Sequence, residues 1–225
     1  MKKSLILDSG ALINFSMNNL LDLFYELKKI FGGNFLITEM VMEETIRRPL
    51  NIKKYELGAL MIQKLLKDKI IELPSSLKIE NYKIEDRARE ILNIANKTFY
   101  AKQKPLHLID MGEASCLALS EILDAKNIKN MLVVDERTTR MLCENPNNLQ
   151  KLLRNKLHTK IKAIKDNFSF FYKFKIIRSS ELAYIAHKKK LVDLKDSRTL
   201  DALLYAIKYK GCSISREEIE EMKSL

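Results

Sequence analysis

Apolar and polar residues along this 225-residue chain follow two different periods. Two short runs, "SLIL" at 4–7 and "MLVV" at 131–134, are almost wholly apolar and stop on an acid, Asp8 and Asp135. Uninterrupted runs of this length predict strands buried on both faces, as in a parallel sheet. A third run, "NFLIT", leads into Thr38. Elsewhere helical spacing prevails. Residues 11–30 read as one helix, with Leu12, Leu20, Leu23, Phe24 and Leu27 on recurring faces and Gly32-Gly33 as its stop. "EMVMEETIRR" reads as a helix closed by Pro49, and residues 55–68, 84–101 and 111–126 as three more. Between the first two of these, "KIIELP" reads as a short strand or an extended connector. A helix follows Asp135, and residues 146–165 are polar and basic with a weak helical period. "FFYKFKIIR" alternates as a strand does, which puts Phe170, Tyr172 and Phe174 on one core-facing side. Helices at 180–189, 197–209 and 215–223 complete the chain. The alternation of strand and helix predicts one α/β domain around a central parallel sheet.

The acids at the strand ends change the picture. A residue just past such a strand lies at the carboxyl edge of the sheet, where open α/β folds place their ligand sites. Either Asp8 or Asp135 alone is explained as a helix N-cap. Two at equivalent rim positions favour a site. In "EMVMEETIRR", Glu43 lies one turn after Glu39 and one before Arg47, on a solvated ion-pairing face. Glu44 instead shares the apolar face of Met40 and Val41, with Arg48 one turn on as an alternative partner. In "LIDMGEASCLALS", Asp110 and Glu113 have the spacing of a capping box, yet an acid in this first turn also points to the rim. Gly112 beside it permits a close approach. Carboxylates gathered in this way raise one another's pKa unless a cation joins them. Oxygen ligands select Mg²⁺ or Mn²⁺, and such ions activate water for phosphodiester hydrolysis. Asp8, Glu44, Asp110, Glu113 and Asp135 are therefore the candidate metal ligands.

Charge points the same way. The chain carries a net charge of +11, and residues 151–190 hold twelve basic residues against Asp166 and Glu181. That concentration fits a polyanionic partner, most simply nucleic acid, with a solvated lysine face as the alternative. Lys156, Lys160 and Lys162 have little apolar work to do and are the expected phosphate contacts. Cys116, Cys143 and Cys212 are far apart, which predicts core packing in a reducing compartment. No apolar stretch approaches a membrane span and Lys2-Lys3 lead straight into a strand, so a cytoplasmic location is expected. His107, His158 and His187 lack metal-ligand spacing, and Gly10 stands where a haloacid-dehalogenase phosphatase needs a second Asp.

Taken in order, "LILDSGALINF", "ITEMVMEETIRR", "LIDMGEASCLALS" and "MLVVDERTTR" resemble the four motifs of the PIN domain family of metal-dependent nucleases. The match extends to a subgroup with Gly-Glu in the third motif and Asp-x-Arg-x-x-Arg in the fourth, and to a last strand and helix at "FKIIRSSELAYIAHKKKLV". The resemblance implies a three-layer α/β/α domain with a central, mainly parallel sheet over residues 1–192, carrying helical insertions at about 54–105 and 144–171. Residues 193–225 would add a helical C-terminal extension. It implies that Asp8, Glu44, Glu113 and Asp135 are catalytic, with Ser9, Arg137 and Arg140 contacting RNA. The implied activity is a Mg²⁺- or Mn²⁺-dependent ribonuclease, and a homodimer is expected. Minimal PIN toxins are shorter, so an antitoxin partner is admitted rather than favoured. A catalytically inactive RNA-binding or interaction module is the alternative function.

Overall fold

A computed structural model describes residues 2–225. Among these residues seven strands form two sheets: β1 (Lys3–Leu7), β2 (Asn34–Leu36), β3 (Phe99–Ala101), β4 (Lys104–Pro105), β5 (Lys129–Val133), β6 (Ile161–Ala163) and β7 (Ile176–Ile177). The larger sheet has the order β2-β1-β5-β7, and every pairing in it is parallel. The apolar runs at 4–7 and 131–134 thus form its two middle strands. Leu5, Ile6, Leu7, Leu132 and Val133 are buried, as strands covered on both faces must be. The smaller sheet, β4-β3-β6, is antiparallel.

The N-terminal half holds α1 (Ser9–Met17), α2 (Leu23–Phe31), α3 (Glu39–Met42), α4 (Glu56–Lys67), α5 (Asn81–Asn96) and α6 (Met111–Ala125). Then come α7 (Arg137–Glu144), α8 (Pro146–Leu157), α9 (Phe168–Phe171), α10 (Ser179–Lys188), α11 (Thr199–Tyr209) and α12 (Arg216–Ser224). Helix α6 packs on β5 and β1 and carries α5 along its flank, while α1 packs on α4 and α10. One main core spans the large sheet and its helices. A second, smaller cluster of Ala183, Leu203, Leu204, Ile207, Cys212, Ile214, Ile219 and Met222 joins the 193–225 extension to α10. All three cysteines are free and buried. Among the described residues, no helix is long and apolar enough to cross a membrane.

Three segments differ from the sequence reading, each for a local reason. The single helix at 11–30 is two helices. Asn19 adopts the left-handed conformation (φ 55°), and the Leu20 N–H reaches back to the Phe15 carbonyl, closing α1 where Asn is tolerated. The helix at 84–101 begins earlier and stops at Asn96. Thr98 folds its hydroxyl onto the Ile94 carbonyl, and the buried Phe99 starts a hairpin of β3 and β4. Of "FFYKFKIIR" only Ile176–Ile177 is a strand; a short helix, Phe168–Phe171, and a turn at 172–173 precede it. Phe168, Phe171 and Phe174 are buried at intervals of three, whereas Tyr172 is 53% exposed. Here period three defeated an apparent period two. "KIIELP" is an extended connector, with Glu72 bridging to Leu36 of β2.

Candidate functional site

The register of the two middle strands sets the site. Leu7 pairs with Val133, and the Asp8 N–H donates to the Val133 carbonyl at 3.1 Å. Asp8 and Asp135 therefore leave the carboxyl edge side by side, and each is only 3% exposed. Gly10 packs beside both. A Cβ added there would lie 3.6 Å from Asp8 Oδ2 and 3.9 Å from the Asp135 Cβ.

Glu44 reaches this rim from a different element. Thr38 caps α3 by accepting from the Val41 N–H, and its hydroxyl bonds Ser115 Oγ at 2.7 Å. Ser115 in turn donates to the Gly112 carbonyl. This chain of bonds ties α3 to the first turn of α6. Beyond Met42 the helix widens into a π-turn over Glu43–Arg47, closed by the Arg48 N–H on the Glu43 carbonyl. Such turns recur at functional sites because they re-aim side chains. Glu43 faces outward to Arg47 and Arg48. Glu44 points the other way, onto Gly112: a Cβ at Gly112 would sit 2.8 and 2.9 Å from its two carboxylate oxygens. The glycine is what admits Glu44 to the first turn of α6. Arg48, the alternative partner of Glu44, pairs with Glu43 instead.

Glu113 follows on that same turn, its carboxylate accepting the Asp110 N–H at 2.7 Å. Asp110 itself leaves the rim. Its side chain is 77% exposed and bonds His107 at 2.7 Å. Asp110 is the N-cap of α6 by position, but its side chain turns to His107, while Glu113 accepts the Asp110 N–H and lies close enough to raise the Asp8 pKa.

The electrostatics mark Asp8 as the centre. Burial first, then the nearby Glu113 and Glu44, raise its carboxyl from the ordinary 3.8 to about 8, against partial relief from the Ser9 and Gly10 amides. Glu113 is raised too, by burial and by Asp110 and Glu136. Cys116, whose Sγ lies 4.0 Å from Asp8 Oδ1, is pushed well up by burial and by Asp8, Glu113 and Glu44. Among the described residues, no Lys, Arg or His forms an ion pair with Asp8, Glu44, Glu113 or Asp135. The protein gathers these carboxylates without supplying a cation of its own.

Asp135 is held differently. Its Oδ1 accepts the Ser179 N–H at 2.8 Å, and its Oδ2 accepts the Ser179 hydroxyl at 2.7 Å and the Asn14 amide at 3.0 Å. Glu136, not Asp135, caps α7 by accepting the Thr139 N–H. Asn14 and Ser179 escaped the sequence reading. The available signal for Asn14 was a lone amide on the buried side of α1, among Ala11, Leu12 and Phe15. Ser179 carried no such signal. Its role arises only because α10 starts beside β5.

Comparisons of the chain with models of known protein families, with curated proteins and with solved structures find no match.

The donor set is all carboxylate oxygen, which suits a hard divalent cation. An uncompensated buried Asp8 beside two further acids is the environment such an ion relieves. As the side chains stand, no group of three His, Cys, Asp or Glu among the described residues closes around one point. The fit is one of charge and chemistry, with Asp8, Glu44 and Glu113 on one side and the anchored Asp135 on the other.

The remaining candidates separate. Ser9 is half-buried at the start of α1, and Arg137 is exposed. Arg140 is largely enclosed, bonding the Ser213 carbonyl and lying near Glu144 and Glu218. Of the basic segment, Arg178 is buried and paired with Glu181 and Glu218, and Lys173 pairs with Glu121. Lys156, Lys160 and Lys162 are exposed.

Proposed function

We propose that this chain is a Mg²⁺- or Mn²⁺-dependent ribonuclease of the PIN domain type. The observation that carries the reading is Asp8: a buried carboxylate at the carboxyl edge of a parallel sheet, pushed up to about 8 and flanked by Glu44 and Glu113 with no cation from the chain. Asp8, Glu44 and Glu113 would hold the ion, with Asp135 braced beside Asp8 by Asn14 and Ser179. When bound, a divalent ion supplies activation of water and stabilisation of the leaving oxygen in phosphodiester hydrolysis. The chain's own contribution is positional. The Asn14 and Ser179 bonds fix Asp135, and Gly112 sets where Glu44 lies. Exposed lysines of the 151–165 stretch supply attraction for the polyanion, largely independent of its sequence.

Incubation of mixed RNA with Mn²⁺, followed by deep sequencing of the new ends, tests the activity. Asp8→Asn and Glu44→Gln should each lower the rate on the order of 10²-fold or more, whereas Glu43→Gln should change it little. Parent-like cleavage by Asp8→Asn ends the proposal. The second reading is an RNA-binding module of this fold without turnover, supported by the exposed Lys156, Lys160 and Lys162. RNA binding with no Mn²⁺-dependent cleavage by the parent chain would establish it.

A further inference from the structure

The hairpin the sequence reading missed builds a surface with its own chemistry. In the small sheet Tyr100 pairs with Pro105 on one side and Lys162 on the other, so these three residues share one face. The opposite face is core: Phe99 pairs with Ala163, and Phe99 and Ile161 are buried. The outer face opens into a groove of about 670 Å³ lined by Tyr100, Lys102, Gln103, Lys160, Lys162 and Ile164. Three of its six lining residues are lysines, and no carboxylate lines it. Among the described residues, none of these lysines has an ion-pair partner, in contrast to Lys173 and Arg178 of the same basic segment. Lys102 and Gln103, at the tip of the hairpin, both adopt positive φ (47° and 66°). Two-residue hairpin tips of this kind favour Asn-Gly, so two long side chains here are held in a disfavoured backbone state. Backbone strain of this sort gathers at binding sites, and here it presents a lysine and an amide at the groove's edge.

The groove also lies close to the acids along the chain. The Leu106 N–H still pairs with the Phe99 carbonyl, and Asn96 pins the following connection through the Leu108 and Ile109 N–H groups. Residues 106–110, at most about 17 Å when extended, join this sheet to the turn that bears Glu113.

We propose that the outer face of the β4-β3-β6 sheet is a platform for single-stranded RNA, on which Tyr100 stacks against an unpaired base and Lys102, Lys160 and Lys162 meet the flanking phosphates. The proposal rests on the reading of this chain as an RNA-directed nuclease. Charge complementarity selects a polyanion, and the ring between lysines selects one with exposed bases over a duplex whose bases are stacked away. A one-strand path from this face would lead along residues 106–110 to the carboxylates.

Fluorescence anisotropy with a labelled 12-mer of oligo(U), in EDTA so that no cleavage occurs, separates this idea from the nuclease reading. The parent should bind the single strand more tightly than a duplex of equal length. Tyr100→Ala should weaken binding about tenfold, while Tyr100→Phe, which keeps the ring, stays near the parent. Lys160→Glu/Lys162→Glu should weaken it further and reduce the slope of log affinity against log salt by about 1.4, at about 0.7 per lost contact on a single strand. Unchanged affinity in the Tyr100→Ala and double-lysine variants, equal affinity for duplex, or no binding by the parent would each overturn the platform. Binding with all these signatures but no cleavage on adding Mn²⁺ would uphold the platform and end the nuclease reading.

Discussion

The side-chain amide of Asn14 donates both to Asp135 Oδ2, at 3.0 Å, and to the Ile207 carbonyl, at 2.9 Å. One fully buried amide thus joins the first helix, the second rim acid and the C-terminal extension. Asn18 completes the arrangement by donating to Asn14 Oδ1 at 2.9 Å. Asp8 and Asp135, neighbours at one edge, are consequently unlike: the second is held by Asn14 and Ser179, while the first has only the Ser9 and Gly10 amides and two nearby acids.

Neutralising the two should therefore have opposite effects on stability. Asp135→Asn turns an acceptor into a group with its own N–H donors facing Asn14 and Ser179, and should destabilise by about 2–4 kcal/mol. Asp8→Asn removes the cost of holding a proton on Asp8 above the ordinary carboxyl range and should raise the melting temperature without added metal. Urea and thermal unfolding of both variants in EDTA would decide it. Equal destabilisation would contradict the distinction.

The Asp8 shift also fixes a pH dependence. With its folded pKa raised to about 8 from 3.8, the native state keeps a proton that the unfolded chain has released between these values. Through this group, metal-free stability falls as pH rises from about 4 to about 8. Asp8→Asn should remove that slope, so its advantage grows with pH across this window. Added Mn²⁺ should stabilise the parent most at the alkaline end. An advantage for Asp8→Asn that shrinks toward pH 8 would reverse the sign.

Gly112 offers a test of the Glu44 position that leaves every acid in place. Alanine favours a helix over glycine by about 1 kcal/mol, yet its methyl would occupy the space of the Glu44 carboxylate. Gly112→Ala should therefore alter stability by less than about 1 kcal/mol while reducing the thermal shift produced by Mn²⁺. A full parent-like shift would mean that Glu44 plays no part in holding the ion.

Asp110 and Glu113 can be separated in the same assay. Asp110→Ser keeps a capping residue and should be nearly neutral for folding and for the Mn²⁺ shift, since Asp110 already faces solvent. Glu113→Gln preserves an acceptor for the Asp110 N–H but loses the inward charge, and should weaken the Mn²⁺ effect selectively.

The pair Arg178–Glu218 latches the extension to the domain at 2.8 Å. Burial works to raise Glu218, but the Ser215 N–H and Arg178 outweigh it and leave its pKa lowered. That stabilisation is present above the unfolded carboxyl range and is lost as pH falls below it. Limited proteolysis around residues 193–198 should accelerate in Glu218→Gln at pH 7, and in the parent only toward pH 4.

Much of the site was legible because strand ends and helix faces are local properties. Leu5-Ile6-Leu7 and Leu132-Val133 could hardly be anything but central strands, and these deliver Asp8 and Asp135. Helical spacing sent Glu43 to Arg47 and Glu44 to the other face, as observed. What the sequence hid was tertiary. No period reveals that Ser179 lies beside Asp135, that Arg140 turns toward Ser213 instead of outward, or that 99–105 folds into a hairpin against β6. Those follow from which elements meet, not from their own patterns.

The amide of Asn14 has a consequence for biosynthesis. Its carbonyl partner stands 193 residues downstream, and the Ser213 N–H bonds the backbone carbonyl of Asp135. Contacts this distant form late, because a long loop must close before they contribute. While the chain is still emerging from a ribosome, the parallel strands can pair and the acids can gather. Asn14 then waits without its downstream acceptor until residues 199–215 have been made. The rim therefore acquires its last hydrogen bonds only after the segment that supplies their partners has been translated.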